Sequence, residues 1–167
     1  MADTILLVGL MLMFLRSHGE RPRDLFLGQR PVLGEVRVGV PMTLLVLTIA
    51  VVVLVSARAA FPWLHTVEQN PLQEIIRTPV DALLFALVAV VAGGVREELQ
   101  RAFLLHRFEQ WLGGPTMGVV IASVAFGAGH LLQGADAALA TGLLGAFWAV
   151  VYLRRRSVVA PMVSHSG

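Results

Sequence analysis

Two adjacent carboxylates, Glu97 and Glu98, stand between Arg96 and Arg101 inside an otherwise apolar run from Val95 to Leu105. Ionisable side chains at membrane depth are energetically expensive, and by default they mark a functional site. His130 follows 33 residues after Glu97, in Phe126-Gly127-Ala128-Gly129-His130, and His165 lies 35 residues beyond it, each in apolar sequence. A carboxylate that takes a proton from water, with two imidazoles to hold that water or a metal ion, is a minimum kit for hydrolysing a peptide bond. Glu97, His130 and His165 are also the candidate ligands for a divalent metal, zinc first, because neutral imidazole is the commonest metal ligand. The spacing is not His-Glu-x-x-His, so the chain is not a zincin by motif.

Each group also has a plainer reading. Glu97 and Glu98 could merely neutralise Arg96 and Arg101 where a helix enters the membrane, and His130 could be a buried histidine bonded to a neighbouring helix. His18, His65 and His106 fall in loop or interfacial sequence and are expected to be solvated, Asp136 is expected to be a corner residue, and Arg154-Arg155-Arg156 a topology anchor. The catalytic reading gains weight only if Glu97, His130 and His165 can meet.

The elements that must bring them together are membrane helices. Of 167 residues, 56% are hydrophobic and only 14% charged, and the mean hydropathy is +0.75. These values point to an all-α, polytopic transmembrane bundle in a single integral membrane domain, 1–167. With roughly 20 apolar residues needed per span, the sequence predicts about five spans plus the start of a sixth. The first is a short run over 4–15, the second runs from Val38 to Ala57, and a long helical pattern from Pro79 to Leu112 bends at Gly93-Gly94. Spans from Met117 to Leu132 and from Ala137 to Leu153 follow, and a last helix starts at Ser157. There is no cysteine, which excludes disulfides and thiol nucleophiles. All 13 basic residues are arginines, and they sit at the edges of apolar runs rather than in one stripe, which argues against nucleic acid as a partner.

Alternation of spans puts 16–37, the 113–116 turn and 154–156 on one side. With Arg96, Arg101 and Arg107 leading into the turn, that side collects 11 of the 13 arginines. The positive-inside rule makes it cytoplasmic. About the turn at Gly114, Glu97 lies 17 residues before and His130 lies 16 after, so the two reach the same depth at equal rise. His165 comes within about two helical turns of that level. Glu97 and Arg101, four apart, are expected to form an ion pair on one helix face, with Glu98 pointing about 100° away.

At these residues the sequence resembles the CPBP family of intramembrane proteases, named for CAAX and bacteriocin processing, which includes the type II CAAX prenyl endopeptidases. The resemblance covers 79–167. Glu97, Glu98 and Arg101 match its Glu-Glu…Arg motif, Phe126 and His130 its Phe-x-x-x-His motif, and His165 its later histidine. It implies that Glu97 activates water, that His130 and His165 hold water or metal, and that Glu98 and Arg101 support them. Here the arginine comes one residue early, and the Asn or Asp that the family carries four positions after the last histidine would fall past Gly167, so a C-terminally truncated chain is expected. The expected activity is endopeptidase cleavage near the membrane face. The expected partners are a peptide or protein substrate, lipid-modified in the CAAX case, and membrane lipids, and the expected location is the inner membrane of a prokaryote. The alternative is a non-catalytic scaffold, such as a maturation or immunity factor of the same fold.

Overall fold

Prolines set several of the helix starts, because a first-turn residue needs no amide donor and proline's φ already suits the helix. A computed structural model describes residues 2–167. Five of the eight prolines open a helical segment: Pro22 in α2 (Pro22–Phe26), Pro62 and Pro71 in two short 3₁₀ turns, Pro79 in α4 (Pro79–Val88) and Pro115 in α6 (Pro115–Ala128). Thr78 caps α4 through a reciprocal pair of bonds with Asp81. The remaining helices are α1 (Ala2–Ser17), α3 (Val32–Ala60), α5 (Glu98–Trp111), α7 (Ala135–Arg155) and α8 (Val159–Ser166). There is no strand among the described residues.

Three helical rods are long and apolar enough to cross a membrane: Val32–Ala60, Pro79–Trp111 and Ala135–Arg155. The other apolar helices are shorter, with 16 residues in α1, 14 in α6 and eight in α8. The expected apolar segments are therefore all helical, but only three have full spanning length. The Pro79–Trp111 rod joins α4 to α5 through a wider, π-helical stretch, Ala89–Glu97. That stretch contains Gly93-Gly94, the expected bend, and π turns recur at functional sites. Between Val80 and Val95 the rod carries one charge, Asp81, whereas Arg96, Glu97, Glu98, Arg101, Arg107 and Glu109 crowd its second half. Its hydrocarbon-crossing part thus ends where the acidic pair begins.

The bundle closes around α7, whose apolar window is 44% buried against 11% for α3 and 6% for the α4–α5 rod. The last two turn most of their apolar surface outward, as lipid contact requires. In lipid, close helix approach depends on small residues. A methyl at Gly127 would come within 2.6 Å of the Ala138 carbonyl and 3.2 Å of Gly142 Cα, so α6 and α7 nearly touch through their backbones.

The polar end is held by ion pairs. Arg155 grips the buried Glu35 of α3 through two bonds of 2.8 and 2.7 Å, and Arg156 grips Glu109 of α5 at 2.6 and 2.7 Å. The arginine triplet is thus a tie between helices as well as a topology signal. Three residues differ from expectation. His106 bonds Glu20 at 2.8 Å instead of standing in solvent, His65 bonds Asp136 at 3.0 Å, and Asp136 is only 1% exposed because Arg58 also holds it at 2.7 Å. A carboxylate buried this far must be paired, and the last turn of α3 supplies Arg58 while the loop after it supplies His65. Glu20 also takes a bond from Arg107, whose guanidinium lies 4.8 to 5.3 Å from the ring centres of Phe14, Phe103 and Trp111.

Two outcomes follow. The Arg107 guanidinium bonded to Glu20 holds that carboxyl below its ordinary value of 4.5. A lowered folded-state pKa stabilises the fold fully above the unfolded value and ceases to do so as pH falls through the folded one. The thermal midpoint in detergent should therefore drop on acidification below pH ~4.5 more steeply for wild type than for Glu20→Gln; superimposable profiles would contradict this. Gly94→Ala would drive a methyl into Ser166 of α8, whereas Gly93 has open space around it. Gly94→Ala should lower stability by about 1–3 kcal/mol, with Gly93→Ala close to wild type in the same melt.

Candidate active site

The most buried carboxylate of the acidic pair is the second one. Glu98, 1% exposed, opens α5 and accepts hydrogen bonds at one oxygen from Arg101 Nη1 and, at 2.8 Å, from His165 Nδ1. Sequence spacing paired Arg101 with Glu97. The structure pairs it with Glu98, the more deeply buried of the two carboxylates and its i,i+3 neighbour on α5, where a charge shut off from water most needs a partner. Glu97 Oε2 stands 3.8 Å from His165 Nε2, too far for a direct hydrogen bond, and Glu97 Oε1 stands 3.7 Å from Arg96 Nη2. Arg96 is tied through Nη1 to Asp3 of α1 at 2.7 Å.

His130 departs from its expected place within a span. Helix α6 ends at Ala128, and His130 sits in the turn that follows, bonded through Nδ1 to the Phe126 carbonyl at 2.8 Å. A carbonyl only accepts, so Nδ1 carries the proton and Nε2 is left free in the neutral ring. The same logic applies to His165: Glu98 takes the Nδ1 proton and Nε2 faces Glu97. Glu97 and His130 line one cavity of about 400 Å³ between the α4–α5 rod and α6, together with Arg96, Arg101 and Phe126. His165 lies behind it, against Trp148.

Trp148 was invisible as a site residue in the sequence. Its indole stacks on the His165 ring at 3.9 Å and 19°, is 3% exposed, and donates its N–H to Ser164 Oγ at 3.0 Å. Phe126 presents its ring at steep angles to His130, His165 and Trp148, with centroids 4.9, 5.9 and 6.5 Å apart. The Arg101 guanidinium carbon lies 4.8 Å from the Phe126 ring centre and 5.5 Å from that of Trp148. Only the Phe-x-x-x-His spacing hinted at this box, and α7's contribution to it had no local signal. The Glu98–Arg101 pair, three apart, was available from helix geometry.

The five sequence candidates thus fall in one region. Glu97, His130 and Arg101 line the cavity, while Glu98 and His165 lie beside it in a bonded cluster that Arg101 completes. Among the described residues no three carboxylate or imidazole groups are placed to hold a metal ion. As they stand, Glu97, His130 and His165 do not converge on one point, although each histidine has Nδ1 held by a carbonyl or carboxylate and Nε2 left over, the arrangement in which imidazole ligates a metal.

An all-helical bundle with three membrane-length rods and a charged, partly enclosed cluster among them is an integral membrane protein with an interior polar site. Residues 79–167 match the protein family described as type II CAAX prenyl endopeptidase Rce1-like. The match covers more than half of the chain and includes all five candidates, so the chain belongs to this family of CAAX-type intramembrane proteases. Among curated proteins and among solved structures, no match was found.

Trp148 covers one face of the His165 ring and so holds it in orientation. Trp148→Leu should lower kcat about tenfold or more while leaving KM nearly unchanged, and Trp148→Phe, which keeps a stacking face, should recover most of the loss. Equal activity in wild type and Trp148→Leu would remove the role.

Proposed function

We propose that the chain is an endopeptidase that hydrolyses a peptide bond of a membrane-presented substrate, with Glu97 as the base that activates water. One observation carries this reading: Glu97 and the free Nε2-bearing ring of His130 share a cavity at the level where the apolar part of the α4–α5 rod ends. A water held between them is placed for proton transfer to Glu97 as its oxygen attacks the scissile carbonyl carbon. The carbonyl π pair moves onto oxygen. Arg96, with a buried Nε–H that has no hydrogen-bond partner among the described residues, supplies positive charge beside that oxyanion. When the intermediate collapses, the pair returns, the carbon–nitrogen bond breaks, and the amine leaves with the proton that Glu97 had taken. Glu98, Arg101 and Trp148 fix His165, whose Nε2 faces Glu97 on the side away from the cavity.

The substrate class we propose is a lipid-modified peptide. The family acts on prenylated peptides in membranes, and the α5 and α6 surfaces flanking the cavity expose Leu104, Val120, Ile121 and Val124, apolar side chains along which an acyl or isoprenyl chain can lie. The arginine-rich end faces the cytoplasm by the positive-inside rule, which suits the inner membrane of a prokaryote. A zinc ion, if resident, would draw on Glu97, His130 and His165. No step above depends on it, since Glu97 alone balances the proton transfers.

Glu97→Gln keeps the shape of the side chain and removes the base. It should lower kcat by about 10²- to 10⁴-fold on a prenylated peptide reporter while membrane insertion and thermal midpoint stay at wild-type values, and His130→Ala should behave similarly. Unchanged turnover in both variants would remove the catalytic roles of Glu97 and His130, and no turnover by wild type would leave a scaffold with the protease fold.

A further inference from the structure

A second cavity, larger than that of the candidate active site, lies elsewhere in the bundle. About 770 Å³ in volume, it lies at the arginine-rich end between the α1–α2 loop, the outer part of α5 and the end of α7, and its lining includes Arg21, Arg30, Arg155 and Arg156. Like charges gathered on one cavity repel, so their compensation has to be followed group by group. Arg155 is neutralised by Glu35 and Arg156 by Glu109. Glu20, also in the lining, is occupied by Arg107 and His106. Arg30 donates Nε to the Arg155 carbonyl at 3.1 Å and reaches only to 4.0 Å from Glu35, which Arg155 already holds with both oxygens. Arg21 has no ion-pair or hydrogen-bond partner for its side chain among the described residues. Two guanidinium forks therefore face the cavity with donors to spare, and the one remaining acid, Asp24, is exposed.

The backbone is shaped to hold these arginines together. Gly28, at φ +60°, lets its loop press against the Arg156 carbonyl, where any β-carbon would overlap it, and Arg156 itself takes φ 55°, a left-handed conformation uncommon for a residue with a side chain. Guanidinium forks match phosphate oxygens in pairs, and basic side chains just outside the hydrocarbon attract anionic headgroups.

We propose that this cavity binds a phosphate ester anion, through Arg21 and Arg30, carried either by an anionic phospholipid headgroup or by a soluble phosphate. The whole chain in nanodiscs of phosphatidylcholine, with or without phosphatidylglycerol, provides the test. Native mass spectrometry should show wild type retaining phosphatidylglycerol in preference to phosphatidylcholine. Arg21→Gln/Arg30→Gln should weaken that retention roughly tenfold, and Arg77→Gln, at the opposite end, should leave it intact. Inorganic phosphate titrated into the neutral discs separates the sources: a rise in thermal midpoint that the double variant loses assigns the site to soluble phosphate, and retention of phosphatidylglycerol without such a rise assigns it to lipid. Should the double variant melt low in neutral discs, Arg21→Gln alone decides, since that side chain holds nothing in the fold. Retention of phosphatidylglycerol unchanged by the substitutions, or no preference over phosphatidylcholine together with no phosphate-dependent rise, overturns the proposal.

Discussion

A carboxylate that is 1% exposed within an apolar bundle stays charged only if neighbouring groups replace the water it gave up. Glu98 meets that demand with one local partner, Arg101 one helical turn along α5, and one distant partner, His165 near the end of α8. The rest of the site depends on this contact. It docks α8 beside the acidic pair, fixes which nitrogen of His165 carries the proton, and leaves Glu97 unpaired by Arg101. Trp148 closes the arrangement from α7 by covering the imidazole face. Three separate segments are thus held in register by one buried charge.

The depth of the site follows from the pattern of charge along one helix. The α4–α5 rod is about 50 Å long at the usual helical rise, longer than the hydrocarbon, and its charged half projects beyond it. The π-helical stretch falls between the two halves, ends at Glu97, and turns that residue toward α6 and the cavity. The carboxylate placed there is partly exposed, at the junction of the rod's apolar and charged halves.

Outside the site, pairs of charges bind the polar end together, with Arg155 on Glu35, Arg156 on Glu109 and Arg107 on Glu20, while Asp136, Arg58 and His65 do the same at the far end. Each acid is drawn from one segment and each base from another, so the pairs tie separate segments together at both ends of the bundle. Arginine serves this arrangement well because its planar fork gives two parallel bonds to one carboxylate.

Much of this was legible in the sequence. Apolar run length and scarce charge determine an all-helical membrane bundle, proline and glycine positions set the helix limits to within a few residues, and the acidic pair with the two later histidines marks the site. A local departure from regular helix at Gly93-Gly94 was readable because two adjacent glycines weaken a helix locally, although that it takes π-helical form was not. Tertiary structure alone decided the pairings: Glu98 rather than Glu97 on Arg101, His165 behind the cavity rather than in it, His65 and His106 drawn to acids, and Trp148 over the imidazole. Spacing along a helix specifies which side chains share a face. Which of them loses its water, and must then take a charged partner from elsewhere in the chain, depends on where other helices come to rest.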